Sequence, residues 1–268
     1  MSNIKSISND IRLAWMLAKR DLKNRYASSY AGVAWNIGVP LLYASINVVV
    51  FSIMMTGRMG LRYSEVPFVL FYFVPFSLWT VFSEVVGRSP CILKEYSYLI
   101  NKIAFPSWVL PLVPLASALL SQFIIILITL VLMLRLHVYP ANTVGIFLLI
   151  WLISLVITLG ITYGVAAVSV YVPDLVQVVP VCITILFWLT PILYPAGLVE
   201  EHGALWIRKI IMDYNPFYYL VELSRDAVFG SSAISWVVLG LMSLVAISIL
   251  TVGALIFRKL QPGFADVI

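Results

Sequence analysis

The chain has 268 residues, of which 62% are hydrophobic and only 11% charged, where a soluble domain carries roughly 25%. So much apolar surface cannot be hidden in one core, so bilayer lipid is the expected solvent and a soluble globular domain is excluded. The net charge of +5 does not point to nucleic acid, because the charges gather at the ends of apolar runs rather than on one basic face.

From the N-terminus, residues 5–30 predict an amphipathic helix. Ile7, Ile11, Trp15, Ala18, Leu22, Tyr26 and Tyr30 recur at steps of three and four, with Lys5, Asn9, Arg12, Lys19 and Lys23 on the other side. Such a helix lies in the membrane interface, each cation adding about 1 kcal/mol at an anionic leaflet; docking on a soluble partner would suit the same pattern. The polar, mixed first ten residues do not make a cleavable signal peptide.

Six apolar runs follow, at 35–55, 67–86, 108–134, 143–171, 176–194 and 234–257. Each approaches or exceeds the roughly 20 residues that span a bilayer. Prolines inside them are tolerated where neighbouring helices or water satisfy the freed backbone groups. Gly160 and Gly164 form a GxxxG pair, read equally well as a close helix contact or as incidental spacing. The expected fold is an all-α membrane protein: residues 1–34 form a cytoplasmic interface helix and 35–268 a six-span transmembrane domain. Eleven Lys and Arg fall on the side holding both termini and six on the other, which places both termini in the cytoplasm.

Two connections carry structure of their own. In 87–107, Leu93, Tyr96, Leu99, Ile100 and Ile103 sit at helical spacing before Phe105-Pro106, predicting a short helix that presents these residues to a partner. In 195–235, Asn215-Pro216 predicts a helix start, with Asn as N-cap and Pro at the first position. Glu222 and Arg225 can then pair at i, i+3. Leu205, Trp206, Ile210 and Ile211 make another amphipathic piece. These read as outer helices that lie in the interface or dip into it and return.

Several chemistries find no motif. There is no GxxxxGK[ST] phosphate loop, HExxH or CxxC. His137 and His202 fall in outer connections, and no metal site or catalytic residue is expected. Cys91 and Cys182 lie far apart and lack metal-ligand partners; a bridge between them is open but not expected, so they say little about redox compartment. Glu84 is the only acidic residue near a span interior; it reaches the interface or pairs with Arg88 at i, i+4, which is thin support for ion coupling.

Four stretches in order resemble one family. They are Arg20-Asp21-Leu22-Lys23-x-Arg25-Tyr26 with Ser28-Ser29, Gly32, Trp35 and Pro40-Leu41-Leu42; Leu99-Ile100-x-Lys102-x-x-Phe105-Pro106; Thr190-Pro191-Ile192-Leu193-Tyr194 with Trp206, Asn215-Pro216, Val221-Glu222 and Ser224-Arg225; and Lys259-Leu260 with Phe264-Ala265-Asp266. From Arg20 to the tail, the chain resembles the permease subunit of bacterial type-2 ABC exporters of polysaccharide, the O-antigen and capsule exporters. One departure is Tyr171-Val172-Pro173-Asp174-Leu175, where the family has an aromatic-Arg-Asp-Leu turn; the missing Arg puts one ATPase contact in doubt.

The resemblance implies a homodimer in the bacterial inner membrane that binds two copies of a cytosolic ATPase and passes a lipid-linked glycan. No cofactor is implied in this chain, with ATP and Mg on the partner subunit. Tyr96, Leu99, Ile100, Lys102, Phe105 and Asp174 would meet the ATPase. The first and fifth spans would line the channel, with Tyr43, Asn47, Phe51, Phe187, Trp188 and Tyr194 as candidates. A lipid-facing aromatic belt explains these residues equally well. Arg20, Lys23, Arg25 and Tyr26 are candidates for the lipid diphosphate, where ordinary anchoring to anionic lipid serves as well. Asn215, Pro216, Glu222 and Arg225 would form the outer gate. Alternatives are a type-2 permease for teichoic acid, lipid or drug, and a membrane enzyme acting on polyprenyl-linked sugars. The enzyme would need a catalytic cluster, and Glu200, Glu201 and His202 have no second cluster facing them in sequence.

Overall fold

The computed structural model describes residues 2–25, 32–100, 105–230 and 232–267, all helix, turn or connection, with no strand among them. Helix α1 (Ser2–Arg25) leads into α2 (Trp35–Met54), with Pro40 inside it. A loop then turns through Gly57 (φ 72°) and Gly60 (φ 70°). A Cβ added to either meets nothing within 4 Å, so glycine is needed here for its left-handed backbone and not for space.

Helix α3 (Phe68–Glu95) is the axis of the bundle and packs against α2 and most of the longer helices that follow, the last excepted. It is buried almost without interruption from Leu70 to Trp79. It runs nine residues past the end expected at Val86, so the second span and half of the connection after it are one helix. Its prolines free two carbonyls, and both find donors. Pro75 leaves the Phe71 carbonyl without its i+4 partner, and Arg225 Nε donates to it at 3.3 Å. Pro90 does the same to Val86, whose carbonyl accepts from Ser89 Oγ at 2.7 Å.

The short α4 (Ser97–Ile100) is followed by α5 (Leu112–Arg135), α6 (Gly145–Tyr171) and α7 (Leu175–Leu189). Beyond α7 the chain breaks into α8 (Ala196–His202), α9 (Leu205–Arg208), a π-helical turn at Lys209–Asp213, and α10 (Pro216–Phe229). Helix α11 (Trp236–Leu260) ends in a 3-10 turn and a last piece, α12 (Phe264–Val267).

Four helical stretches among the described residues are long and apolar enough to cross a membrane: Phe68–Glu95, Ser107–Arg135, Gly145–Tyr171 and Trp236–Val267. The other two expected spans are shorter. In the first, the apolar helix covers Gly38–Met54. In the fifth, α7 has 15 residues and rises only about 22 Å, because the helix ends at Thr190 before Pro191.

The tightest helix crossing is α6 on α11. A Cβ on Gly160 would lie 2.6 Å from the backbone of Ile249 and Leu250, and one on Gly253 would collide with the Gly160 backbone. The GxxxG spacing is therefore a close helix contact, and its partner is Gly253 on the facing helix. Gly164 also sits against Gly253, at 3.7 Å from an added Cβ to its Cα. Outward faces remain apolar, as with Ile46, Val49 and Ile53 on α2, Phe123 and Leu134 on α5, and Leu244, Ile247 and Leu255 on α11. That is the surface of a protein solvated by lipid tails.

Candidate functional site: a polar hub, a basal clamp and an aromatic cavity

Helix α10 begins as its sequence predicts. Asn215 Oδ1 accepts from the Phe217 amide at 3.0 Å, with Pro216 at the first position. The same side chain donates from Nδ2 to Thr190 Oγ1 at 2.9 Å and to the Leu189 carbonyl at 3.3 Å, which fixes α10 to the end of α7. The helix closes on Gly230 in the left-handed conformation (φ 65°). It is buried nearly all round, polar residues included.

Arg225 is fully buried. Its three nitrogens are spent on the Phe71 carbonyl, on Glu222 Oε1 at 3.0 Å and on the Ile192 carbonyl at 2.9 Å. Its guanidinium carbon lies 3.5 Å from the centre of the Phe71 ring. Glu222 Oε2 accepts from Tyr63 Oη and from Arg62, both at 3.0 Å. Arg62 goes on to Asp226 and to Ser232 Oγ at 2.9 Å. Two guanidinium groups thus meet two carboxylates, so the hub is charge-balanced, and each buried charge is hydrogen-bonded. Burial, with the charge on Glu222, pushes the Tyr63 phenol well above its ordinary value, so it stays a neutral donor.

Sequence reasoning found Asn215, Pro216, Glu222 and Arg225 from local spacing. It missed Arg62, Tyr63 and Asp226. Arg62 and Tyr63 stood only as part of a loop, and the one local signal for Asp226 was its place next to Arg225.

At the opposite end of α3, Arg88 forms a two-pronged pair with Asp21 of α1, at 2.7 and 2.8 Å, and reaches Glu95 at 3.2 Å. Ser117 Oγ of α5 donates to the same Asp21 carboxylate at 3.3 Å. This clamp corrects one expectation, the pairing of Glu84 with Arg88. The terminal nitrogens of Arg88 are directed to Asp21 and Glu95, and Glu84 lines a cavity wall. Among the described side chains of α1, Ala14, Leu17, Ala18 and Asp21 are buried, and Trp15 is 41% exposed. Arg20 and Lys23 are exposed on α1. Tyr26, Lys102 and the side chain of Arg25 lie outside the described residues.

The connection after α3 also differs from a freely projecting helix. Leu93 and Tyr96 turn inward and are buried with Leu17, Leu110, Phe257 and Phe264. Leu99, Ile100 and Phe105 are half-buried on the rim of that cluster, while Lys94, Glu95 and Tyr98 face outward. Burial pushes the Tyr96 phenol up to about 12. Asp174 is exposed at the start of α7.

Between α2, α3, α5 and α7 lies a cavity of about 560 Å³. Tyr43, Asn47 and Phe187 line it together with Trp79, Thr80 and Glu84. Asn47 Nδ2 donates to Tyr72 Oη at 3.2 Å. Phe51 and Trp188 stand beside it, their rings 6.4 Å apart, and Tyr194 Oη donates to the Trp188 carbonyl at 3.0 Å. The structure therefore brings Tyr43, Asn47 and Phe187 into one cavity wall, with Phe51 and Trp188 adjoining and Tyr194 tied to the end of α7. Aromatic faces with a few hydroxyl, amide and carboxyl groups suit a ligand that has both apolar and hydroxylated surfaces.

A helical bundle with lipid-type outer faces, four helical stretches long and apolar enough to cross a bilayer, a buried charge-balanced hub and an aromatic cavity between helices is the build of a multi-pass membrane protein. Residues 12–229 match the family described as ABC-2 type transporter, and the chain belongs to that family. It is 30% identical over 252 residues to the O-antigen export system permease protein RfbA of Myxococcus xanthus, covering 93% of each chain. It is 27% identical over 258 residues to a protein of the same name from Klebsiella pneumoniae, covering 94% of this chain and 93% of the relative. It is 22% identical over 252 residues to the polysialic acid transport protein KpsM of Escherichia coli, covering 91% of this chain and 92% of the relative.

Proposed function

We propose that the chain is the permease subunit of a bacterial polysaccharide exporter, passing a lipid-linked glycan, O-antigen above all, across the inner membrane. The observation that carries the reading is the cavity wall of Tyr43, Asn47 and Phe187 beside Phe51 and Trp188. Pyranose rings present apolar C–H faces and equatorial hydroxyls, and aromatic walls with sparse polar groups let such a polymer slide without trapping it. The names of the relatives support the same substrate class.

Two copies form the pore, with α2 and α7 as its walls and as the remaining two of six spans. Tyr43 and Trp188 are 66% and 54% exposed in the single chain, so a second copy would enclose them. Both termini are cytoplasmic, which sets the hub outside and the clamp inside. Two copies of a separate ATPase bind the inner turn at Leu99, Ile100, Lys102 and Phe105, with Asp174 at the second inner turn and Tyr96 holding the turn from within. ATP and Mg belong to those subunits. Arg20, Lys23 and Arg25, with Tyr26, meet the lipid diphosphate at the inner headgroup level. Asn215, Pro216, Glu222 and Arg225 hold the outer gate closed onto α3.

The test is surface display of the glycan in cells whose own copy is replaced. Tyr43→Ala with Trp188→Ala should lower export about tenfold or more at unchanged protein level, as expected when two ring contacts of about 1 kcal/mol each are lost. Unaltered export would remove the aromatic wall from the mechanism.

A further inference from the structure

The loop at residues 57–62 and helix α8 face one another across two adjoining cavities of about 310 and 560 Å³, which share Arg58, Gly60, Leu198 and Glu201. The fold brings Arg58 to the group that stands alone in the sequence: Arg58 and Glu201 line both cavities, the smaller with Glu200, Tyr218 and the hub residues Arg62, Tyr63 and Glu222, the larger with His202. On the hub side, Arg62 and Tyr63 both donate to Glu222, which holds that wall in place. Arg58 and both glutamates are exposed, and His202 Nδ1 stands 3.9 Å from Glu201.

We infer that this groove is a second sugar subsite, on the far side of the pore from the ATPase, that takes a neutral or amino sugar residue of the emerging polymer. Hydroxyl-rich ligands need donors and acceptors converging on a concave, preformed surface, and the groove offers a guanidinium, two carboxylates and a phenol beside that wall. The smaller cavity lies at the lower end of the roughly 300–1,000 Å³ range of small-molecule sites, which suits a single sugar ring with its substituents. Among the described residues no group of three or more His, Cys, Asp or Glu is placed to hold a metal ion. The charges not engaged in the hub are one arginine against two glutamates, so the lining disfavours uronic acids. Burial, helped by Glu222 and Glu200, pushes the Tyr218 phenol up to about 12, so it remains a donor throughout the physiological range.

The inference takes its sidedness from the proposed exporter, but it is tested on the purified chain in lipid nanodiscs, with no ATPase present. Saturation-transfer NMR is recorded with three probes: maltose, a glucosamine disaccharide and a hexuronic acid disaccharide. Saturation should reach the first two and be much weaker for the third. Arg58→Gln and Glu201→Gln, both at exposed positions that folding tolerates, should each weaken binding of maltose about fivefold, the size of one neutral hydrogen bond. No transfer to any probe, equal transfer to the acidic one, or a signal that survives both substitutions would overturn the inference. A chain that binds sugar here but joins no ATPase would defeat the exporter reading and leave this site standing.

Discussion

Toward each end of α3 an arginine is bound to a carboxylate, Arg225 of α10 at one and Arg88 of α3 itself at the other, yet the two sites are built for different tasks. In the hub, Arg225 is wholly enclosed and ties α10 to the backbone of α3 and to the turn after α7. Each of its bonds is made where lipid or protein excludes water, so none can be exchanged for a water molecule. In the clamp, the Arg88 side chain is 19% exposed, and it joins a peripheral helix to the bundle through Asp21. The hub is part of the fold. The clamp is a fastening for α1, and a fastening can be released.

That contrast sets the order of expected effects. Arg225→Met leaves Glu222 buried with one partner fewer and should destabilise the protein by about 3–5 kcal/mol, seen as a large loss of monodisperse protein on heating in detergent. If it were no worse than Asp21→Asn, the distinction between the two ends would fall. Gly160→Val comes next. Its side chain must enter the backbone of α11, and separating the helices should cost about 1–3 kcal/mol, read by the same thermal assay; Gly164→Ala, with ordinary contact distance, should be far milder. Asp21→Asn removes the charge opposite Arg88 and should cost about 1–3 kcal/mol. Here the loss should appear as faster hydrogen exchange in α1 while α10 keeps its protection. The smallest effect belongs to Lys23→Gln, expected to reduce affinity of α1 for anionic vesicles by about 1 kcal/mol and to leave thermal stability unchanged.

The same contrast explains what the sequence discloses. Local signals survive folding: Asn215-Pro216 does cap a helix, and Glu222 with Arg225 does pair across one turn. The GxxxG spacing at Gly160 points to a helix contact, but Gly253, some ninety residues away, has no signature of its own. Partners distant in sequence are invisible to spacing, which is why Arg62 with Asp226 and Asp21 with Arg88 emerge only from the fold. On α1 periodicity marks one apolar face but not the second one that the fold uses: Ala14 and Leu17 are buried beside Asp21, which Arg88 and Ser117 hold, while Trp15 of the apolar face stays outward. The inner connection is half legible: its apolar spacing marks a helix, but Leu93 and Tyr96 serve the chain's own core, while Leu99, Ile100 and Phe105 stay half-buried on its rim.

The measurement that bears most directly on the exporter reading is co-purification with a candidate ABC ATPase subunit. Wild-type protein should yield a complex of two permeases and two ATPases that hydrolyses ATP. Leu99→Glu and Phe105→Glu should each dissociate it while the permease remains folded. A well-folded wild-type chain that associates with no ATPase, or a complex indifferent to both substitutions, would contradict the account.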